Sequence, residues 1–229
     1  GEWIMTNVDE KKLEQKQMEV SLSRNRLFNG LETFYLEDIM RRGEIRSWPA
    51  ASQIISEGES GDAVYFILSG KAKVTLYGEE GREIVLALLK EGDMFGEMSI
   101  IDGKPRSANV EAVKDMECLV INRAAFLDYL STHHKVYMRF FAYLTGRLRE
   151  ATRKIGGLAL LDVCGRIAHT LIGMAKEGAG EKVVAIERPT HEELAAMIGS
   201  SREVVSRALK KMTQEGYIKI EKTRILLYP

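Results

Sequence analysis

The chain has 229 residues, of which 45% are hydrophobic and 29% charged, and its 33 basic and 33 acidic side chains give a formal net charge of zero. This composition is typical of a globular chain with one large or two smaller domains. No apolar run approaches the roughly 20 residues that span a bilayer, and the N-terminus lacks a secretion signal, so we expect a cytoplasmic protein with no membrane partner.

The cysteines and the distribution of charge narrow the function further. Cys118 and Cys164 are the only cysteines, and they are not in a Cys-x-x-Cys pair. This argues against a disulfide framework, a zinc site and a cysteine-held iron–sulfur cluster. Residues 153–229 carry 13 Lys and Arg against 9 Asp and Glu, which leaves 20 against 24 in the remainder. A mildly basic C-terminal part suits a polyanionic partner, although this excess alone is weak evidence.

The N-terminal half is predicted to begin with helix and to continue as short strands. Residues 5–45 have a polar helical pattern, with Leu27, Leu31 and Ile39 as the inward positions. From about Ile54, β-branched and aromatic runs alternate with glycine-containing turns, which favours an antiparallel roll or barrel over a parallel sheet. The predicted strands are Ala63–Leu68, Lys71–Tyr77, Ile84–Leu89, Val110–Val113 and Met116–Ile121.

The segment Phe95–Ala108 lies between two of these strands and carries an acid, an arginine and a hydroxyl around a short turn. Arg106 offers a planar fork of donors to a phosphate, and Glu97 can accept hydrogen bonds from a sugar hydroxyl. Ser107 and main-chain N–H groups of the turn can hold phosphate oxygens. An ordinary hairpin loop with a surface ion pair would show the same residues, so these residues alone leave both interpretations open.

A long amphipathic helix is predicted after Phe126. Apolar residues recur there every three or four positions over nearly 20 residues, which predicts a narrow apolar seam. The seam comprises Tyr137, Phe140, Phe141, Leu144, Leu148, Ala151 and Ile155. The helix could pack on its own domain, but the length of the seam and the arginines beside it favour a parallel two-helix dimer contact. Gly156-Gly157 interrupts the pattern and is the predicted hinge between domains.

The C-terminal part carries the signals of a helix-turn-helix. Thr190 and Glu193 have the spacing of a capping box at the start of the first helix. Gly199 permits a sharp turn, and Ser200 or Ser201 caps the second helix.

Four further elements are predicted around this motif. They are a helix at about Leu158–Lys176, a Gly-rich turn at 178–180, a strand at Val183–Ile186 and a β-hairpin wing at Gly216–Tyr228. The wing carries Lys219, Lys222 and Arg224.

In this order of parts, the chain resembles the cyclic-AMP receptor protein and anaerobic-regulator (CRP/FNR) family of bacterial transcription regulators. Phe95–Ala108, Gly157–Ala168 and Ser201–Arg207 carry the resemblance, which covers the chain from about Leu27 to its C-terminus. It implies an α+β fold with an N-terminal antiparallel β-roll (a cyclic-nucleotide-binding jelly roll), a long dimerisation helix and a C-terminal winged helix-turn-helix. The implied domains are residues 1–130 for the β-roll with its N-terminal helices, 131–156 for the dimerisation helix and hinge, and 157–229 for DNA binding.

The resemblance also assigns ligand contacts in the β-roll. It places Glu97 on the ribose 2′-hydroxyl, and Arg106 and Ser107 on the cyclic phosphate. The backbone at Gly96 and Met98 is expected to approach the ligand closely.

The base is covered in this family by residues of the long helix, which here are Arg147, Ala151 and Thr152. Cyclic-AMP receptors have a Thr-Ser pair where this chain has Ala151-Thr152, so one hydroxyl associated with adenine is missing. The implied effector is therefore cyclic AMP first and cyclic GMP second, with a cyclic dinucleotide third and no metal. The haem and iron–sulfur variants of the family are disfavoured because N-terminal cysteines are missing and all four histidines follow the roll (His133, His134, His169 and His191).

The second helix of the helix-turn-helix has residues that can read DNA. Arg202 and Arg207 can face the major groove with Glu203, where arginine reads guanine and glutamate accepts from cytosine N4. The same charges would also suit a solvated helix face, but by resemblance they are base readers and imply a TGTGA-like half-site. The residues better placed for phosphates are Thr190, Ser201, Lys210, Lys222 and Arg224.

The resemblance implies a ligand-responsive homodimer that binds double-stranded DNA at two half-sites about one helical turn apart, with RNA polymerase as a further partner. We expect no enzymatic activity, because the sequence shows no nucleophile–base pair and no metal-ligand cluster. Two other classes stay open: a DNA-binding regulator that needs no ligand, and a regulatory subunit that controls a partner enzyme through its roll.

Overall fold

The computed structural model describes residues 15–78, 83–175 and 183–228. The start of the predicted N-terminal helix, before residue 15, and the predicted turn at 178–180 lie outside the described residues. The chain divides into two compact units. Unit 1 comprises Gly1–Leu76 and Leu88–Gly146, and unit 2 comprises Tyr77–Ala87 and Arg147–Pro229.

Within the described residues, eight strands precede the long helix. They are β1 (Glu44–Trp48), β2 (Gln53–Ile55), β3 (Ala63–Ser69), β4 (Lys71–Tyr77), β5 (Glu83–Lys90), β6 (Met94–Phe95), β7 (Asn109–Ala112) and β8 (Met116–Asn122). They form two four-stranded sheets, in the orders β1-β8-β3-β6 and β2-β7-β4-β5. The pairings of β1 and β3 with β8, and of β2 and β4 with β7, are antiparallel, as predicted.

Three of these strands were not predicted from sequence. Strand β1 is exposed over most of its length and therefore shows little of the apolar alternation that marks a half-buried strand. Strands β2 and β6 have three and two residues, which is too short for a periodic pattern. Each is recognisable only through the strand it pairs with.

The helices of the N-terminal half pack against one face of the first sheet. They are α1 (residues 15–23), α2 (Thr33–Arg41), α3 (Glu97–Asp102) and α4 (Arg123–Thr132). A continuous helical region over 5–45 is therefore wrong, because turns separate α1 from α2 and β1 begins at Glu44. Leu27 and Ile39 are fully buried as predicted, and Leu31 packs against the same core.

Strand β3 divides its residues between two environments. Val64, Phe66 and Leu68 belong to the core under the helices. Because side chains alternate along a strand, Ala63 and Tyr65 point to the opposite face of the sheet. That face contributes to the candidate ligand site.

The long helix α5 (His134–Leu160) continues through Gly156-Gly157. The predicted break at these glycines, and the predicted helix start at Leu158, are therefore wrong. Glycine costs only about 1 kcal/mol in a helix interior, which the surrounding turns can absorb. The chain turns instead at Leu161 and Asp162, where the Asp162 side chain accepts a hydrogen bond from the main-chain N–H of Gly165 at 2.7 Å.

Unit 2 contains the predicted helix-turn-helix and wing. Its remaining elements are α6 (Val163–Met174), β9 (Val184–Glu187), α7 (His191–Ile198), α8 (Arg202–Gln214), β10 (Ile218–Ile220) and β11 (Arg224–Leu227). Strand β11 pairs antiparallel with both β10 and β9, so the wing is part of a three-stranded sheet. Ile167 and Leu171 of α6 pack with Leu194 of α7 and Val205 of α8 in one core.

In the described ranges 15–78, 83–175 and 183–228, no helix is both long enough and apolar enough to cross a bilayer.

Candidate functional site

Arg106 is the most strongly fixed of the predicted ligand contacts. Its side chain is only 6% exposed. Nη1 donates to the carbonyl oxygen of Gly96 at 2.7 Å, and Nη2 donates to that of Ala63 at 2.8 Å. These bonds use two of the five N–H donors of the guanidinium group. The remaining donors therefore keep a defined direction.

The main chain on both sides of Arg106 is also fixed. Its N–H donates to the carbonyl of Glu59 at 2.8 Å, and its carbonyl accepts from the N–H of Gly58 at 2.9 Å. The loop before β3 and the loop before β7 are therefore held together at this arginine.

Gly96 lets the backbone approach this side chain closely. It has a left-handed conformation with φ of 81°, and an added Cβ would lie 2.8 Å from Nη1 of Arg106. The next residue, Glu97, begins α3 and is only 4% exposed. Gly96 thus lies next to the buried Glu97 in the chain and accepts a hydrogen bond from the buried guanidinium of Arg106.

Met98 and Ser107 lie at the surface beside this pair. Both side chains are exposed, and the Ser107 hydroxyl donates to Sδ of Met98 at 3.6 Å. Five predicted contacts are therefore neighbours in unit 1: Gly96, Glu97, Met98, Arg106 and Ser107.

The predicted base contacts lie on α5, in unit 2. Arg147 is half-buried, whereas Ala151 and Thr152 are exposed. The Thr152 hydroxyl donates to the carbonyl of Leu148 at 2.9 Å, one turn earlier. That these three α5 residues and the five residues of unit 1 line one pocket stays a prediction.

An aromatic group beside Arg106 was missed in the sequence. The rings of Tyr65 and Phe95 stack with centroids 4.8 Å apart, and Trp48 meets Tyr65 edge-on at 5.9 Å. Cζ of Arg106 lies 5.9 Å from the centroid of the Tyr65 ring. Burial raises the pKa of Tyr65 by more than the charge of Arg106 lowers it, so the phenol stays neutral. Only the strand order β1-β8-β3-β6 reveals this group, and no local sequence signal does.

The helix-turn-helix has the predicted caps. The Thr190 hydroxyl accepts from the N–H of Glu193 at 3.1 Å, and the Glu193 carboxylate accepts from the N–H of Thr190 at 2.9 Å. Gly199 ends α7 in the left-handed region, with φ of 63°. Ser201 rather than Ser200 is the N-cap of α8.

The predicted base readers share the exposed face of α8. At about 100° per residue, Arg202, Glu203, Arg207 and Lys210 fall within an arc of about 140°. All four are exposed, and the opposite side carries Val205, Ala208, Leu209 and Met212, which are buried. Hydrogen bonds from its own main-chain N–H and from the Ser201 hydroxyl lower the pKa of Glu203, so its carboxylate is ionised and can only accept.

The wing cations differ in their surroundings. Nε of Arg224 lies 2.7 Å from a carboxylate oxygen of Glu221, and Nζ of Lys219 lies 3.4 Å from the other. The hydrogen bond from Arg224, and to a smaller extent that from Lys219, lowers the pKa of Glu221. Lys222 is exposed at the turn between the strands. Part of the charge of Arg224 is therefore neutralised within the wing.

No group of three or more His, Cys, Asp and Glu suitable for a metal ion occurs in the part of the chain that the structure describes. Buried His133 instead makes a 2.8 Å contact from Nε2 to Oδ2 of Asp38. It therefore supports the junction of α4 and α5.

Two family models match the chain. A cyclic nucleotide-binding domain matches residues 45–133, and a Crp-like helix-turn-helix domain matches residues 165–228. The first range contains Gly96, Glu97, Met98, Arg106 and Ser107, which we call the Arg106 cluster. The second range contains helices α7 and α8.

Curated relatives match over nearly their whole length. The CRP-like cAMP-activated global transcriptional regulator of Mycobacterium tuberculosis is 30% identical over 214 residues, which cover 92% of this chain and 95% of the relative. The cAMP-activated global transcriptional regulator CRP of Escherichia coli is 33% identical over 201 residues, covering 84% and 93%.

Solved structures show the same fold. The c-di-GMP responsive global regulator CLP of Xanthomonas campestris has a TM-score of 0.71 at 25% identity and covers 86% of this chain and 100% of that one. The catabolite activator protein of Thermus thermophilus has a TM-score of 0.55 at 32% identity, covering 89% and 93%.

Proposed function

The chain belongs to the CRP-like transcription regulators, and we propose that it is a homodimer whose affinity for DNA is controlled by a cyclic mononucleotide, with cyclic AMP first and cyclic GMP second. Its cyclic nucleotide-binding domain and Crp-like helix-turn-helix are those of a DNA-binding regulator, and its curated relatives are regulators rather than enzymes.

The environment of Arg106 carries the ligand proposal. Burying a guanidinium is costly, and the two carbonyl oxygens that orient Arg106 carry no full negative charge to balance it, so a bound anion would supply the missing counter-charge. The donors that remain on Arg106 suit the exocyclic oxygens of a cyclic phosphate, and Glu97 suits the ribose hydroxyl. A surface ion pair in a plain hairpin loop would not need this burial.

The relatives favour cyclic AMP as the effector, whereas the residues of the long helix leave the identity of the base less well determined. The Escherichia coli and Mycobacterium tuberculosis relatives are cAMP-activated. Ala151 offers no hydroxyl to the base, which leaves Thr152 as the proposed contact and keeps cyclic GMP in the test. Because the Xanthomonas campestris neighbour is c-di-GMP responsive, a cyclic dinucleotide is kept as the third candidate effector.

The proposed dimer contact is a stripe of apolar residues on α5. Val136 and Phe140 are buried in the core of unit 1, whereas Phe141, Leu148 and Ile155 recur at seven-residue spacing and are exposed. Leu148 and Ile155 are each 67% exposed. An apolar stripe with this repeat is what a partner helix covers in a two-stranded coiled coil.

The proposed DNA target has two TGTGA-like half-sites. Arg202 and Arg207 would read guanines, and Glu203 would accept from a cytosine. We propose that Thr190, Ser201, Lys210, Lys222 and Arg224 contact phosphates, and that RNA polymerase is the further partner at the promoter.

Titration calorimetry tests the effector directly. The chain, freed of copurified nucleotide by unfolding and refolding, is titrated with cyclic AMP, cyclic GMP and cyclic di-GMP. We expect saturable heat with a cyclic mononucleotide. If only cyclic di-GMP gives heat, the effector is a cyclic dinucleotide and the proposed mononucleotide is wrong. If none of the three gives heat, the chain is a regulator that needs no such ligand.

A further inference from the structure

We propose that Gly61 is a positioning residue for Arg106: it leaves the space in which the guanidinium is held for the phosphate. This inference rests on the proposed function, because it takes Arg106 as the phosphate contact. It adds a residue outside the segment Phe95–Ala108 to the determinants of affinity.

The evidence is the close approach of Gly61 to the arginine. A Cβ added at Gly61 would lie 2.2 Å from Nε, 2.4 Å from Cζ and 2.8 Å from Cδ of Arg106. These are the three nearest atoms, and all belong to one side chain. Gly61 does not have a positive φ, so alanine at this position would not be forced into the left-handed region. Space for Arg106, rather than backbone conformation, is therefore what glycine provides here.

The guanidinium cannot give way without losing its orientation. The backbone of Gly96 also lies close to the guanidinium, since a Cβ added there would be 2.8 Å from Nη1. Arg106 thus lies against two glycines, and this placement lets it donate to Ala63 and Gly96. A shift large enough to relieve a 2.2 Å contact would stretch or break both hydrogen bonds.

The two glycines are not equivalent as test positions. Gly96 has a positive φ, so any substitution there would strain the backbone and confuse the result. Gly61→Ala adds a Cβ against the buried guanidinium of Arg106 without requiring a positive φ of the main chain. It therefore changes the direction of the arginine donors while keeping the arginine.

The loss of this preorganisation should appear as lost affinity. Because disturbing the oriented donors weakens hydrogen bonds to a charged group, we expect cyclic AMP to bind about tenfold or more weakly. The matched control is Gly173→Ala, because Gly173 lies within α6 and nothing comes within 4 Å of its added Cβ. Calorimetry on the full chain compares both variants with wild type, and thermal unfolding confirms that each is folded.

A second readout separates positioning of Arg106 from a general loosening of the loop. The probes are the two phosphorothioate diastereomers of cyclic AMP, in which sulfur replaces one or the other exocyclic oxygen. An oriented Arg106 should bind the two with different affinities, because sulfur is the weaker acceptor. In Gly61→Ala we expect this ratio to move toward one, whereas a purely structural effect would weaken both diastereomers equally.

The outcomes are distinct. Weaker cyclic AMP binding with a reduced diastereomer ratio supports the inference. Binding within twofold of wild type, tighter binding, or an unchanged ratio overturns it while leaving the proposed function intact. A wild-type chain that binds neither cyclic AMP nor cyclic GMP overturns the proposed function and this inference together.

Discussion

The Arg106 cluster and the exposed face of α8 both present arginines, but they hold them in opposite ways. Arg106 is buried and bonded to two main-chain carbonyls, so its direction is determined before any ligand arrives. Arg202 and Arg207 are exposed on a helix whose opposite side is buried. The proposed phosphate contact is therefore held rigidly, whereas the proposed base readers are exposed side chains that can adjust to base edges.

This contrast has an energetic consequence. Changing Arg106 disturbs buried main-chain acceptors as well as the ligand contact, so binding and stability should both respond. Changing Arg202 or Arg207 removes exposed side chains, so sequence preference should change while stability does not. The predictions below test this difference, from the largest expected effect to the smallest.

Arg106→Lys should have the largest effect. Lysine keeps the charge but cannot donate to both carbonyls and to a phosphate in the geometry of a planar fork. We expect cyclic AMP affinity to fall roughly 100-fold, measured by calorimetry, since two oriented charged hydrogen bonds are disturbed. An affinity within threefold of wild type would show that the burial of Arg106 is structural only.

Leu148→Glu tests the apolar stripe of α5. A carboxylate facing its own copy in a two-helix contact is both buried and repelled, so we expect the dimer dissociation constant to rise about 10- to 100-fold. Analytical ultracentrifugation measures it. Ile172→Glu on α6 is the control, because Ile172 is also exposed on a helix but lies outside the stripe. Equal effects of the two changes would contradict the proposed contact.

Arg202→Ala should relax DNA sequence preference. Loss of one bidentate base contact costs about 1–3 kcal/mol for the cognate site and little for other sequences. Lys210→Ala should instead weaken binding to all sequences and reduce the salt dependence by about one charge, as expected of a phosphate contact. Fluorescence anisotropy with TGTGA-containing and scrambled duplexes measures both. A parallel loss for both duplexes in Arg202→Ala would remove its role as a reader.

Asp38→Asn should have the smallest effect, and the effect should depend on pH. Burial alone would raise the pKa of Asp38, but hydrogen bonds from His133 and Arg42 outweigh it and lower the pKa below its ordinary value. A lowered folded-state pKa stabilises the fold above the unfolded-state pKa, and this contribution disappears as the pH falls through the folded-state value. We expect Asp38→Asn to destabilise by about 1 kcal/mol at pH 7 and by less below about pH 4.

Urea unfolding of wild type and Asp38→Asn, at pH 7 and below about pH 4, measures this change in the free energy of unfolding. Glu37→Gln, on the same helix, is the control for removing one negative charge. A destabilisation by Asp38→Asn that is equal at the two pH values would contradict the assignment.

Local patterns predicted the elements that are locally encoded. The caps of α7 and α8, the glycine between them and the strands β3, β4, β5, β7 and β8 all appear near their predicted positions. Strand β1 escaped because it is largely exposed, and the end of α5 was misplaced because two glycines weaken a long helix without breaking it.

The candidate site divides in the same way. Glu97, Arg106 and Ser107 lie close in sequence, so one local pattern indicated a possible phosphate-and-sugar site, and the family resemblance added Gly96 and Met98. Gly61, Tyr65 and the acceptor Ala63 lie more than 40 residues before Arg106 and meet it only in the folded chain. Without a fold or related sequences, nothing near Gly61 distinguishes a space for a guanidinium from an ordinary turn.

The most direct test of the proposed function couples the two regions. Fluorescence anisotropy of a duplex with two TGTGA-like half-sites is measured with and without cyclic AMP, for wild type and for Arg106→Lys. Because coupling requires different nucleotide affinities in the two states of the dimer, we predict tighter DNA binding with nucleotide in wild type and a much smaller response in Arg106→Lys. Equal DNA affinity with and without nucleotide in wild type would contradict the account and indicate a regulator that needs no ligand.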